Sequence, residues 1–96
     1  MDRIKAVYNI SGMAWKFYKT WSEKYEPKDR TEYFWAQVTK DLKNRLKELP
    51  DNMSIYKSVY HDLMLAYISQ LQDEYCKETG EVANMKKEYI ERKGYE

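Results

Sequence analysis

The sequence predicts an all-α fold, a compact helical bundle of three main helices plus a short C-terminal helix. Three observations carry that expectation. Apolar residues recur at spacings of three and four along most of the chain, and no stretch alternates with a period of two. Pro27 and Pro50 fall between the apolar-periodic segments, where a residue that cannot continue a helix marks a break. Only 3 glycines accompany these 2 prolines in 96 residues, so interruptions are few and the helices are long.

The first helix is expected over about residues 2–25. Ile4, Val7, Tyr8, Ala14, Trp15, Tyr18, Trp21 and Tyr25 occupy about 140° of its circumference, and Ile10, Met13 and Phe17 widen the apolar arc to about 220°. An arc this wide needs neighbours on two sides, which places the helix at the centre of the bundle or in a homodimer seam. Lys5, Asn9, Gly12, Lys16, Lys19 and Glu23 fill the remaining wedge. The break at Glu26-Pro27-Lys28-Asp29 precedes a second helix over about 30–49, with Asp29 and Glu32 spaced as a capping box. Its stripe is narrow: Trp35, Val38, Leu42, Leu46 and Leu49, with Phe34 on the shoulder.

Leu49-Pro50-Asp51-Asn52 reads as a turn, with Asp51 or Ser54 expected to cap a third helix over about 53–78. One broad face of that helix holds Tyr56, Val59, Tyr60, Leu63, Met64, Tyr67, Leu71 and Tyr75. Leu65 and Cys76 lie nearly opposite, which suggests a second contact surface. Gly80 suits a left-handed helix stop. Val82, Met85, Tyr89 and Ile90 predict a short fourth helix over about 81–93. The whole of 1–96 is expected to form a single helical domain.

Composition excludes several functions. With 17 Lys+Arg against 16 Asp+Glu the net charge is +1, so no global field draws in nucleic acid or an anionic membrane. The charge is distributed unevenly, +3 over residues 1–25, +1 over 26–50 and −3 over 51–96. A single cysteine rules out an intrachain disulfide and fits a reducing compartment. No apolar run approaches the roughly 18 residues of a membrane span, and no signal-peptide pattern opens the sequence. A cytoplasmic location without membrane contact is the expectation.

Catalytic patterns are missing. His61 and Cys76 are the only imidazole and thiol, and on one straight helix they stand about 22 Å apart, too far for a dyad. No CxxC, HxxxH or Glu-x-x-His supplies facing metal ligands, and the glycines stand alone at 12, 80 and 94. The carboxylates Asp73, Glu74, Glu78 and Glu81 lack the glycine-centred loop of a calcium site. No catalytic, metal-binding or cofactor-binding residue is assigned, and no cofactor is expected.

The candidate partner-binding residues are Tyr33, Lys40, Lys43, Lys47, Tyr89 and Tyr95. Lys40, Lys43 and Lys47 share the face of the second helix turned away from Trp35 and Leu42, and Tyr33 points roughly the same way. Cations beside an aromatic can track a phosphate backbone and stack a base. With only three lysines, and with Asp41 and Glu48 close by, the nucleic-acid reading is the alternative to a solvated or protein-contacting face. Of the 15 aromatics, Tyr8, Trp15, Tyr18, Trp21, Trp35, Tyr60 and Tyr67 lie on arcs expected to face the core. Tyr33, Tyr89 and Tyr95 are left over for the surface.

The segments IKAVYNISGMAWKFYKTW, EYFWAQVTKDLKNRLKEL and YHDLMLAYISQLQDEY together resemble small, all-helical proteins encoded by bacteriophages and other mobile elements of Gram-positive bacteria. The resemblance spans residues 4–75 and is one of size, composition and pattern. Characterised proteins of that kind often inhibit host defence, anti-CRISPR proteins being the best-known group. The resemblance therefore implies a non-enzymatic inhibitor in the bacterial host cytoplasm that binds a host defence nuclease such as Cas9, or its complex. The near-neutral charge departs from the acidic, DNA-mimicking members and leaves steric or allosteric inhibition as the implied mode. No residue role transfers from it. A small nucleic-acid-binding regulator and a subunit that self-associates through the first helix are the alternatives.

Overall fold

A computed structural model describes residues 2–80. They form three helices, α1 (Arg3–Lys24), α2 (Glu32–Glu48) and α3 (Lys57–Thr79), with 3-10 turns at Pro27–Asp29 and Asp51–Tyr56. No strand occurs among the described residues, and the all-α expectation holds. The fourth helix expected over 81–93, with Tyr89, and Tyr95 beyond it, lies outside the described residues.

The helix limits follow local chemistry. Asp2 caps α1, its carboxylate accepting the Ile4 N–H at 3.1 Å. Two expected caps are not formed. Pro27 starts a 3-10 turn that uses up Asp29, so the N-cap of α2 is Thr31, without a side-chain hydrogen bond. After Pro50 the chain winds as a 3-10 turn through Tyr56, so Asp51 and Ser54 lie inside or at the start of that turn and Tyr56 takes the cap position of α3. At the far end of α3, Gly80 adopts φ +76 and its N–H donates to Cys76 O at 2.8 Å, the left-handed stop expected there.

α3 is the hub against which α1, α2 and both 3-10 turns pack. Its apolar residues surround it: Tyr60, Met64, Leu71 and Cys76 are buried, and Leu65 is half-buried. The second contact surface expected from Leu65 and Cys76 is thus explained. α1 and α2 meet mainly through long side chains. Trp21 Nε1 donates to Asp41 Oδ2 at 2.7 Å, and the Trp21 and Phe34 rings stand edge to face at 5.7 Å. Phe34 also meets Tyr25 at 5.3 Å and Trp35 at 4.8 Å, both edge to face. Such rings fill a wide inter-helix gap with geometry that suits their quadrupoles.

The connector between α1 and α2 is held by Arg30, whose side chain is 1% exposed. Its Nη1 donates to Leu71 O at 2.7 Å and to Glu74 Oε1 at 3.0 Å, and its guanidinium lies 5.5 Å from the Phe34 ring centre. Nε and Nη2 have no hydrogen-bond partner among the described residues. Glu74 also accepts from the Tyr18 hydroxyl and from Gln70 Nε2. One carboxylate therefore ties α1, the connector and α3 together. Burial pushes the Glu74 carboxyl up, but the donors Tyr18, Gln70 and Arg30 outweigh it and hold the group below the usual glutamate value. The hydrogen bond to Glu74 raises the Tyr18 hydroxyl above the usual tyrosine value.

Removing one partner of a buried ion pair strands the other charge. Glu74→Leu is expected to destabilise the fold by about 3 kcal/mol, because buried Arg30 then loses its ion-pair partner. Arg30→Met should cost less, since Glu74 keeps Tyr18 and Gln70, and the double variant should recover part of the Glu74→Leu loss. Urea unfolding of the four proteins measures the cycle; additive losses would contradict it. The same network sets a pH dependence. Glu74 contributes stability that is full above its unfolded value and lost as pH falls through its lower folded value. Tyr18 contributes stability that is full below its unfolded value and lost as pH rises through its higher folded value. Glu74→Gln should flatten both flanks of the stability profile, below about pH 5 and above about pH 10; unchanged flanks would refute the assignment.

Candidate functional site

The wide apolar arc of α1 is divided. One side, Ala6, Ile10, Ala14, Phe17 and Trp21, is buried at spacings of four and three against the rest of the bundle. The other side is left in solvent, with Ile4 81% exposed, Tyr8 77% and Trp15 49%, and with Val7 exposed beside them. This corrects the expectation that Tyr8 and Trp15 face the core; Ile4 and Val7 lie exposed beside them, on the part of the arc for which a homodimer seam is the other expectation. Among the described residues, the neighbours of α1 cover only the stripe centred on Ile10 and Phe17. Tyr18 and Tyr25, on the boundary, are half-buried and packed on the core.

Between Tyr8 and Trp15 the surface dips. Gly12 has no side chain there, and a Cβ built on it meets nothing within 4 Å. Ser11 folds its hydroxyl back to Val7 O at 2.9 Å, which leaves the surface low. Met13 and Lys16 form the far wall of this open depression. A glycine in mid-helix costs about 1 kcal/mol relative to alanine, and no described residue approaches Gly12 closely enough to require one. The sequence signal for this face was the excess width of the arc, which also admitted a more central packing.

Of the sequence-predicted site residues, Tyr33, Lys40, Lys43 and Lys47 all lie on the outer side of α2 and are exposed. Tyr89 and Tyr95 lie outside the described residues. Asp41, expected to oppose the lysines, turns inward: its Oδ2 accepts from Trp21 Nε1 and from Arg45 Nε at 2.9 Å. Lys40 instead borders an open polar groove between α1 and α2, with Lys24 and Thr20 on the α1 side and Gln37 and Asn44 on its own. Lys24 Nζ rests 4.9 Å from the Trp21 ring centre. Lys24 was not among the candidates, since its place across the groove depends on how α1 lies beside α2.

His61 is half-buried and Cys76 buried on the same helix, 15 residues apart. Among the described residues, no group of three or more His, Cys, Asp or Glu is placed to hold a metal ion. Burial lifts Tyr60 above the usual tyrosine value, with Arg45 partly opposing. Arg45 sits 5.5 Å from the Phe17 ring centre, so this second cation braces the α1–α2 gap.

The division of α1 has an optical signature. Trp15 is half-exposed whereas Trp21 is buried, so Trp15→Phe should remove much of the acrylamide-quenchable tryptophan emission and Trp21→Phe little of it. Equal losses would contradict the exposed placement of Trp15.

Comparison with known proteins finds no matching family model, no similar curated protein and no similar solved structure.

Proposed function

We propose that this chain is a non-enzymatic protein-binding module that docks a partner on the outer face of α1. The observation that carries the reading is the row Ile4, Tyr8 and Trp15, exposed on a helix whose opposite stripe is fully used by the core. Tyrosine and tryptophan dominate interface hot spots because they offer large contact area with little conformational freedom to lose. The resemblance to mobile-element proteins makes a bacterial host defence nuclease, or its complex, the first partner class to examine, with the protein acting as a steric or allosteric inhibitor in the cytoplasm. Among the described residues no helix is long and apolar enough to cross a membrane.

A second reading has its own support. With Asp41 turned inward, Lys40, Lys43 and Lys47 stand on α2 with Lys24 across the groove and Tyr33 at one end. That arrangement suits a phosphate backbone better than the sequence alone suggested, and a small nucleic-acid-binding regulator is the function it would serve.

The two readings separate in one experiment. A photo-crosslinking residue is placed at position 8 or 15, or at position 43 on α2, in cells that carry candidate partners. The protein-binding reading expects a discrete protein adduct from positions 8 and 15. It also expects Tyr8→Ser/Trp15→Ser to lose about tenfold or more in any inhibition found across a panel of CRISPR nucleases. Adducts to nucleic acid from position 43 alone, with binding that falls steeply with salt and with Lys40→Glu/Lys43→Glu, would replace it by the regulator. Inhibition of no nuclease in a broad panel removes the defence-nuclease partner.

A further inference from the structure

We infer that the outer face of α1 takes an amphipathic helix of another protein whose apolar side is flanked by acidic residues; this rests on the protein-binding reading above and names its partner's chemistry. The inference rests on the charge beside the apolar row. At 100° per residue, Lys5, Gly12, Lys16 and Lys19 fall within about 60° of one another, next to the narrower row of Ile4, Tyr8 and Trp15. From Arg3 to Ser22 the chain holds four bases and no acid. Lys19 pairs with Glu23 at 2.8 Å, while Lys5 and Lys16 make no ion pair with another described residue. The face therefore presents an apolar ridge, a cationic rail and, at Gly12, a gap in the rail where the depression opens.

Each part fits one element of such a helix. The ridge from Ile4 to Trp15 runs about 16 Å, three turns, which matches apolar anchors at i, i+4, i+7 and i+11 on a docked helix. The depression between Tyr8 and Trp15 admits one of those anchors, and its glycine lets the partner approach closely. Glutamates or aspartates along the partner's flank meet Lys5 and Lys16. A second copy fits less well. Antiparallel two-fold pairing about the middle of the ridge sets Lys5 against Lys16 of the other copy, parallel pairing sets each lysine against itself, and neither register brings an acid to these lysines; Glu23, the acid in the same wedge of α1, is held by Lys19.

The test uses the full chain and two synthetic helical peptides of about 20 residues with the same leucine face, one flanked by Glu and the other by Lys. The expected result is binding of the Glu peptide at least about tenfold tighter than the Lys peptide, with a blue shift of emission that is absent in Trp15→Phe. Lys5→Glu/Lys16→Glu should reverse the preference. Gly12→Leu, whose Cβ meets open space in the free chain, should weaken the Glu peptide about tenfold while the melting transition stays the same or rises. Equal binding of both peptides, lost in Tyr8→Ser/Trp15→Ser, overturns the acidic partner while the protein-binding face stands. A Glu preference that survives Tyr8→Ser/Trp15→Ser overturns the inference, because charge alone then explains it. Failure of both peptides to bind overturns it as well, and with it the protein-binding reading where the crosslinks at 8 and 15 also fail. Binding to phosphatidylcholine–phosphatidylglycerol vesicles without binding to either peptide transfers the face to a lipid surface. A dimer in light scattering that Trp15→Ser abolishes transfers it to a second copy. Either outcome overturns the proposal.

Discussion

A guanidinium buried to 1% exposure is the constraint on which the arrangement of the helices depends. Arg30 leaves the connector, passes the Phe34 ring and ends on Leu71 O and Glu74 of α3. Charge of this kind is costly to bury, and it persists only where hydrogen bonds and an opposite charge meet it. Because Glu74 also accepts from Tyr18 on α1, the same carboxylate registers α1 against α3 and the connector against both. The edge-to-face rings around Phe34 then fill the space that this registry leaves between α1 and α2.

This arrangement decides which surfaces remain for binding. With α3 as the hub, α1 is covered on the side of Ile10 and Phe17 and bare on the side of Ile4, Tyr8 and Trp15. The inward turn of Asp41 toward Trp21 and Arg45 likewise clears an acid from the lysine face of α2. Two surfaces of opposite character result, an aromatic one with a cationic margin on α1 and a polar basic one between α1 and α2. Both arise from packing choices made elsewhere in the molecule.

Several features were legible in the residues because they rest on local physics. Gly80 stops α3 in the conformation that glycine alone adopts without strain, and the two prolines mark the ends of α1 and α2. Tyr33 and the three lysines of α2 lie outside because that helix has a narrow stripe with one way to face a core. The caps read from Asp29, Asp51 and Ser54 differ because spacing does not show whether a proline opens an α-turn or a 3-10 turn. Arg30 carries no pattern signal, since a lone base after a charged turn looks like any solvated residue.

Period and breakers in the sequence thus determine three helices, their approximate limits and an excess of apolar surface on the first. They do so because helix hydrogen bonding is local and side chains at fixed spacing share a face. Tertiary structure alone decides which part of that excess is buried, since the width of the α1 arc exceeds what two neighbours cover. It also decides that Arg30 lies inside, that Asp41 faces inward and that Lys24 faces Lys40 across a groove. Each depends on a distance between residues far apart in the chain, which the three-dimensional packing of α1 and α2 on α3 brings close.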